Sequence, residues 1–197
     1  MPAVAASPAS PSHLAAPAGL RSRLKQATAE AHRSLDSRLG SLDLSSLDGY
    51  RRFLEANAAA LLPLEGALES AGVASMFADW PQRSRRNAIV ADLAKVGGVA
   101  RPAAAPPLMN GNAVLGTMYV LEGSRLGAKY LLRSIAHSAD PVIAGTTAYL
   151  GHGAGEQLWP RFLVALEPEP VTLADEAEIV DAAAVAFAMF AQAAARA

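Results

Sequence analysis

Residues 20–40 read LRSRLKQATAEAHRSLDSRLG, and Leu20, Leu24, Ala27, Ala31, Leu35 and Leu39 recur in it at the spacing of one helix face. Gly40 follows as a natural stop. The stretch is an amphipathic first helix, and the same period governs the rest of the chain. Asp48 is placed to cap a second helix carrying Tyr50, Phe53, Leu54, Leu61 and Leu62, with a bend expected at Pro63. After Pro81, a helix over residues 83–95 aligns Ile89, Val90 and Leu93 and closes on Gly97 and Gly98. The Pro-rich RPAAAPPLMNGN at 101–112 separates it from a long helical run from Ala113 to the neighbourhood of His137. A shorter helix over residues 157–166, a Pro-marked turn over 167–170 and a last helix over 173–194 complete the pattern. No alternating run of Val, Ile or Thr competes as a strand, so the sequence reads as an all-α, single-domain helical bundle over residues 20–197.

Residues 1–19 mix Ala, Ser and Pro without a Lys or Arg, and prolines interrupt every apolar run, which reads as a flexible tail and not a secretory signal. At the other end, AAAVAFAMFAQAAARA is shorter than the roughly 20 apolar residues of a membrane span, so a packed helix is expected and no membrane partner. A hydrophobic content of 52% supports a sizeable core. With a net charge of −1 and its Lys and Arg scattered among acids, the chain lacks the basic excess that gathers phosphates, and nucleic acid is not an expected partner. The absence of cysteine removes disulfides, thiolate nucleophiles, iron–sulfur ligation and zinc ribbons, and fits a cytoplasmic location. Metal chemistry must therefore use His, carboxylates or a prosthetic group.

On the first helix, Lys25 and Thr28 precede His32 by seven and four residues and Asp36 follows it by four, so all four project along one face. A His there can turn Nε2 toward a metal while Asp36 orients the ring through Nδ1–H. The same spacing also suits a His at the edge of a buried stripe beside a solvated Lys/Asp face. On the long central helix, Gly116, Gly123 and Gly127 each disfavour a helix interior by about 1 kcal/mol relative to Ala. Gly123 and Gly127, four apart, bare the backbone on one side. That surface suits a broad planar ligand or a close helix contact; spacing alone leaves both open.

LKQATAEAHRSLD at 24–36 and GTMYVLEGSRLGAKYL at 116–131 together resemble the haem oxygenase family, in its bacterial, biliverdin-producing branch. Either motif alone is weak; both in this order, about ninety residues apart in a cysteine-free helical chain, are specific in combination. Weaker similarity extends through Tyr50, Phe53, ADLAKVG, GEQLWPRF around Trp159, and Phe187 with Phe190. The resemblance implies haem b held between a proximal helix and a kinked distal helix. It makes His32 the iron ligand, Asp36 its partner, and Gly123 and Gly127 the distal backbone over the ring. Ser124 stands where the mammalian branch has a carboxylate that organises water. Lys25 matches a basic residue near a haem propionate, and Tyr119, Lys129 and Arg161 match pocket or propionate contacts. The implied reaction is cleavage of haem by O2 to biliverdin, Fe2+ and CO. Its electrons would come from an external ferredoxin or reductase, because the chain has no flavin or nicotinamide motif, and a bacteriophytochrome is a possible acceptor of the product.

The nearest competing reading is a haem-binding or haem-trafficking protein without oxygen chemistry. A di-iron carboxylate enzyme needs paired Glu-x-x-His motifs, which are absent, and a thiaminase-like hydrolase needs a cysteine nucleophile. A cofactor-free interaction domain leaves the polar stripe and the glycines without a joint purpose. Of the other histidines, His137 is expected in a helix-end interaction, His152 in a loop, and His13 in the tail.

Overall fold

A computed structural model describes residues 19–107, 110–166 and 171–197; most of the expected tail, with His13, and the turn at 167–170 lie outside the described residues. Helix α1 spans Leu20–Gly40 and buries Leu20, Leu24 and Thr28. Helix α2 (Leu47–Ser70) is capped two residues before Asp48: Ser46 Oγ accepts the Gly49 amide at 3.1 Å, and Asp48 sits in the first turn, where its charge suits the helix dipole. Position 49 must be glycine, because a Cβ there would lie 2.1 Å from the Asp43 carbonyl oxygen. The helix runs on through Pro63. Proline brings no amide for the Ala59 carbonyl, and the Ala103 amide of the Pro-rich connection fills the gap at 2.9 Å.

The helix expected over residues 83–95 starts three residues later, at Arg86, and Arg83 closes a separate short turn. Helix α3 (Val73–Met76) and helix α4 (Trp80–Arg83) precede an extended Ser84, and helix α5 follows over Arg86–Lys95. The break has a cause in α2. The buried Glu65 carboxylate accepts the Arg85 amide at 2.7 Å, the Arg86 amide at 3.1 Å and the Ser84 hydroxyl at 2.6 Å, so a distant side chain caps α5. At its other end Gly97 takes φ +65° and the Gly98 amide returns to the Leu93 carbonyl at 2.9 Å, a glycine stop of the Schellman type.

Helix α6 (Gly111–Ile135) begins two residues before Ala113, because Asn110 Oδ1 accepts the Ala113 amide at 2.9 Å. It continues without interruption past Gly116, Gly123 and Gly127. Helix α7 (Pro141–Ala144) is capped by Asp140, helix α8 covers Leu158–Leu166, and helix α9 (Leu173–Ala194) is capped by Thr172. Helices α3, α4 and α7 are short turns inside segments that read as connections.

Helix α9 is the hub: α1, α2 and α6 all pack on it, with α5 against α2 and α8 against α6. By length and composition α9 could cross a membrane, yet Ile179, Ala183, Ala186, Phe187 and Phe190 are buried against its neighbours. Gly116 marks the closest crossing, since a Cβ on it would fall 2.1 Å from the Ile179 carbonyl oxygen of α9. Cross-helix contacts also fix direction. Arg23 pairs with Glu176 and His32 meets Phe187, while Asn112 meets Asp175 and Gly116 meets Ile179. Helices α1 and α6 therefore run alongside α9 in the same sense.

Candidate functional site

The shared direction brings the two singled-out segments to one level. The Tyr119 hydroxyl of α6 faces the Thr28 side chain of α1, and burial pushes that phenol up. One turn onward, about 6 Å along each axis, come His32 on α1 and Gly123 on α6. Phe187 of α9 lies between the helices, its ring 5.9 Å from the His32 ring and edge-on to it. Trp159 of α8 closes the other side, 5.8 Å from the Tyr119 ring and 3.8 Å from where a Cβ on Gly123 would lie.

His32 stands 61% exposed at the edge of this space, and its Nδ1 lies 2.9 Å from Asp36 Oδ2. That contact engages Nδ1 and leaves Nε2 outside the ion pair. The two readings of the glycine pair also separate. Gly116 is the packing glycine; a Cβ on Gly123 would make only ordinary contact, and one on Gly127 would meet nothing within 4 Å. The bare backbone of Gly127 faces open space and not a neighbouring helix.

The remaining expected residues divide. Lys25 and Lys129 are exposed on α1 and α6. Arg161 is not brought to this space. It lies about 200° around α8 from Trp159, and its guanidinium is 3.4 Å from Asp79 and 3.7 Å from Glu156. Ser124 is turned inward: its hydroxyl donates to the Leu121 carbonyl at 2.8 Å and accepts Arg85 Nη1 at 3.0 Å. His137 makes a helix-end contact, Nδ1 to the Arg133 carbonyl at 2.7 Å. His152 lies in a turn against Arg125, and burial, with the Arg125 and Arg85 charges, holds its imidazole below the ordinary histidine range. Two shallow grooves, one along Pro106, Asn110 and Val185 and one along Leu44, Ser134 and His137, lie elsewhere.

Behind the glycine segment is a group that periodicity did not single out. Arg83 and Glu122 have side chains only 1% and 2% exposed and pair at 2.9 Å, and Arg125 pairs with Glu122 at 3.0 Å. Arg85 is buried beside them, over the Tyr149 ring. The available signal was Glu122 and Arg125 flanking Gly123 at a spacing that lets them pair, which reads equally as a surface ion pair.

The sequence model of the Heme oxygenase family matches residues 18–196. A protein named heme oxygenase from Xanthomonas campestris pv. campestris (strain 8004) is 28% identical over 144 residues, covering 73% of this chain and 87% of that protein. The NO- and CO-bound heme oxygenase of Neisseria meningitidis matches with a TM-score of 0.75 at 22% identity, over 90% of this chain and 91% of that one. The heme oxygenase of Leptospira interrogans matches with a TM-score of 0.69 at 17% identity, over 91% and 100%. At these identities the structures speak to the helical fold.

Proposed function

The chain belongs to the haem oxygenase family, and we propose that it cleaves haem b to biliverdin, Fe2+ and CO, with His32 as axial ligand and the Gly123–Gly127 backbone over the opposite ring face. The residues fit that group. Asp36 engages Nδ1 of an accessible His32, which leaves Nε2 for iron and keeps the ring electron-rich. Among the described residues no three His, Asp or Glu side chains gather around a common point, so an iron here would bring its equatorial ligands with it, as a porphyrin does. Gly127, where a Cβ would occupy open space, supplies room for a flat ring against the helix.

Bound haem supplies both the iron that activates O2 and the carbon skeleton that is oxidised. The chain supplies orientation and a restricted set of proton sources. Within about 60° of Gly123, residues 119–130 of α6 present Tyr119, Val120, Leu126, Gly127 and Tyr130, none of them a carboxylate or imidazole. No side-chain acid stands there to promote O–O cleavage, and backbone dipoles and water remain to deliver protons. Tyr119 stays protonated because burial raises it. Lys25 and Lys129 are free to reach propionates, while Arg161 serves Asp79 and Glu156 instead. Electrons come from an external ferredoxin or reductase in the cytoplasm, with a bacteriophytochrome as one possible acceptor of the bilin.

The observation carrying this reading is the Asp36-oriented His32 at the level of a glycine face that packs against no helix at Gly127. Haem reconstitution followed by reductant-driven turnover tests it. Loss of the Soret band with growth of bilin absorbance is expected; intact ferrous haem that persists under O2 would leave a haem carrier in its place.

A further inference from the structure

The glycine face of α6 has a charged back. Arg125 stands midway between Gly123 and Gly127 and points about 200° away from Gly123 around the helix. Its Nε and Nη2 donate to the two Glu122 oxygens at 3.0 Å each, Nη2 also to the Arg83 carbonyl, and Nη1 to the His152 carbonyl at 3.2 Å. Arg83 Nη1 reaches both Glu122 and the Leu158 carbonyl, at 2.9 and 3.0 Å. Arg85 donates to Ser124 Oγ and to the Leu121 carbonyl, each at 3.0 Å. The 121–125 segment is thereby tied to the α4–α5 junction, the start of α8 and the turn around His152.

Such a cluster is a weak source of net stability, because desolvating the charges offsets most of their attraction. What it does supply is direction. A planar guanidinium with its donors on a carboxylate and on two main-chain carbonyls of separate segments admits one arrangement. A bare helix face, by contrast, has no side chains to interlock with a neighbour and fix its rotation.

We infer that Arg125 is a positioning residue that sets the rotation and depth of the Gly123–Gly127 backbone, and, resting on the haem reading above, governs which ring carbon is attacked. In the ligand-free protein, Arg125→Gln and the charge-neutral pair Glu122→Gln/Arg125→Gln should speed amide exchange over residues 123–131 by about tenfold or more, with α2 and α9 unchanged. Arg125→Lys, which keeps the charge and one carbonyl bond, should recover part of that protection. The double variant covers the case in which the single one, leaving the buried Glu122 with Arg83 as its one remaining cation, fails to fold. In haem-loaded protein, both neutral variants should bind haem within about threefold of the parent but release a mixture of bilin isomers where the parent releases one. Unchanged exchange over 123–131, or equal acceleration in α2 and α9, would overturn the positioning role; selective acceleration with a single unchanged isomer would overturn its hold on regiochemistry. If the parent makes no bilin at all, the haem reading fails, and the exchange measurement still decides the clamp.

Discussion

Replacing Gly127 with Ala should make the ligand-free protein more stable and its haem chemistry worse. Gly127 lies inside α6, outside the left-handed region, and a Cβ on it would meet no atom within 4 Å. The substitution therefore loses no packing and gains the helix propensity of Ala over Gly, about 1 kcal/mol. In a chain of this size that raises the melting temperature by about 2–4 °C. Gly116→Ala is the opposite case: its Cβ would fall 2.1 Å from the Ile179 carbonyl oxygen and 2.9 Å from Ala182 Cβ, so α6 must move off α9 at a cost of about 1–3 kcal/mol or more. Gly123→Ala, with ordinary contact to Trp159 at 3.8 Å, belongs with Gly127 in stability. Urea denaturation without haem orders the three variants, and Soret titration with reductant-driven turnover then ranks them by function. Destabilisation by Gly127→Ala would mean that the residue serves packing. Full haem affinity and turnover in a stabilised Gly127→Ala, and again in Gly127→Leu, would mean that the ligand does not use this face.

His32→Ala should abolish the His-ligated haem spectrum while changing apoprotein stability by less than about 1 kcal/mol, since the exposed ring gives up only a solvent-screened contact with Asp36 and an edge contact with Phe187; an unchanged spectrum would move the axial ligand to another residue. Glu122→Ala takes the carboxylate from buried Arg125 and leaves Arg83 with Asp79 alone, and should cost about 3–5 kcal/mol in urea unfolding, where a surface ion pair would cost under about 1 kcal/mol. His152 is held below its ordinary value of 6.5, so it is neutral in the folded protein and binds more protons when unfolded. The stability this contributes is complete above 6.5 and is lost as pH falls toward the lowered folded pKa. His152→Gln should flatten that part of the acid limb, and urea midpoints that fall in parallel for parent and variant through this window would contradict it.

The fold was legible because its signal is periodic and local. The spacing from Leu20 to Leu39 gave α1, and that from Leu173 onward gave α9, since one buried stripe per helix is enough to specify each. What periodicity could not show were interactions closed by distant partners. Nothing near Ser84 says that Glu65, about twenty residues back, will cap α5 and set its start at Arg86. Nothing near Pro63 says that Ala103 will satisfy Ala59. The site divides along the same line. His32 and Asp36 lie one turn apart on one helix, and their bond follows from spacing. The resemblance puts Arg161 near the ligand, but its direction depends on which face α8 gives to α6; Trp159 takes that face and turns Arg161 toward Asp79.

The charged back and the bare front of α6 are better understood as one device than as two features. Three interior glycines cost the helix about 3 kcal/mol relative to alanines. The ionic cluster is a poor candidate to offset that, whereas Val114, Met118 and Leu121, buried on the inner side, are good ones. Apolar packing holds the helix onto the bundle but tolerates small rotations, since it has no directional bonds. Small rotation is what a bare face leaves least determined, and even a modest turn of α6 would shift the Gly127 backbone relative to a flat ligand. Directional bonds from Arg125 and Arg85 act on this degree of freedom, from the only side where side chains can reach without occupying the ligand's place. The two residues should therefore be coupled. Arg125→Gln should impair turnover strongly in the parent and weakly in Gly127→Leu, where the face is already blocked, and a double-mutant cycle in kcat/KM would read that difference as about 1–3 kcal/mol. Strict additivity would separate the clamp from the face it is argued to hold.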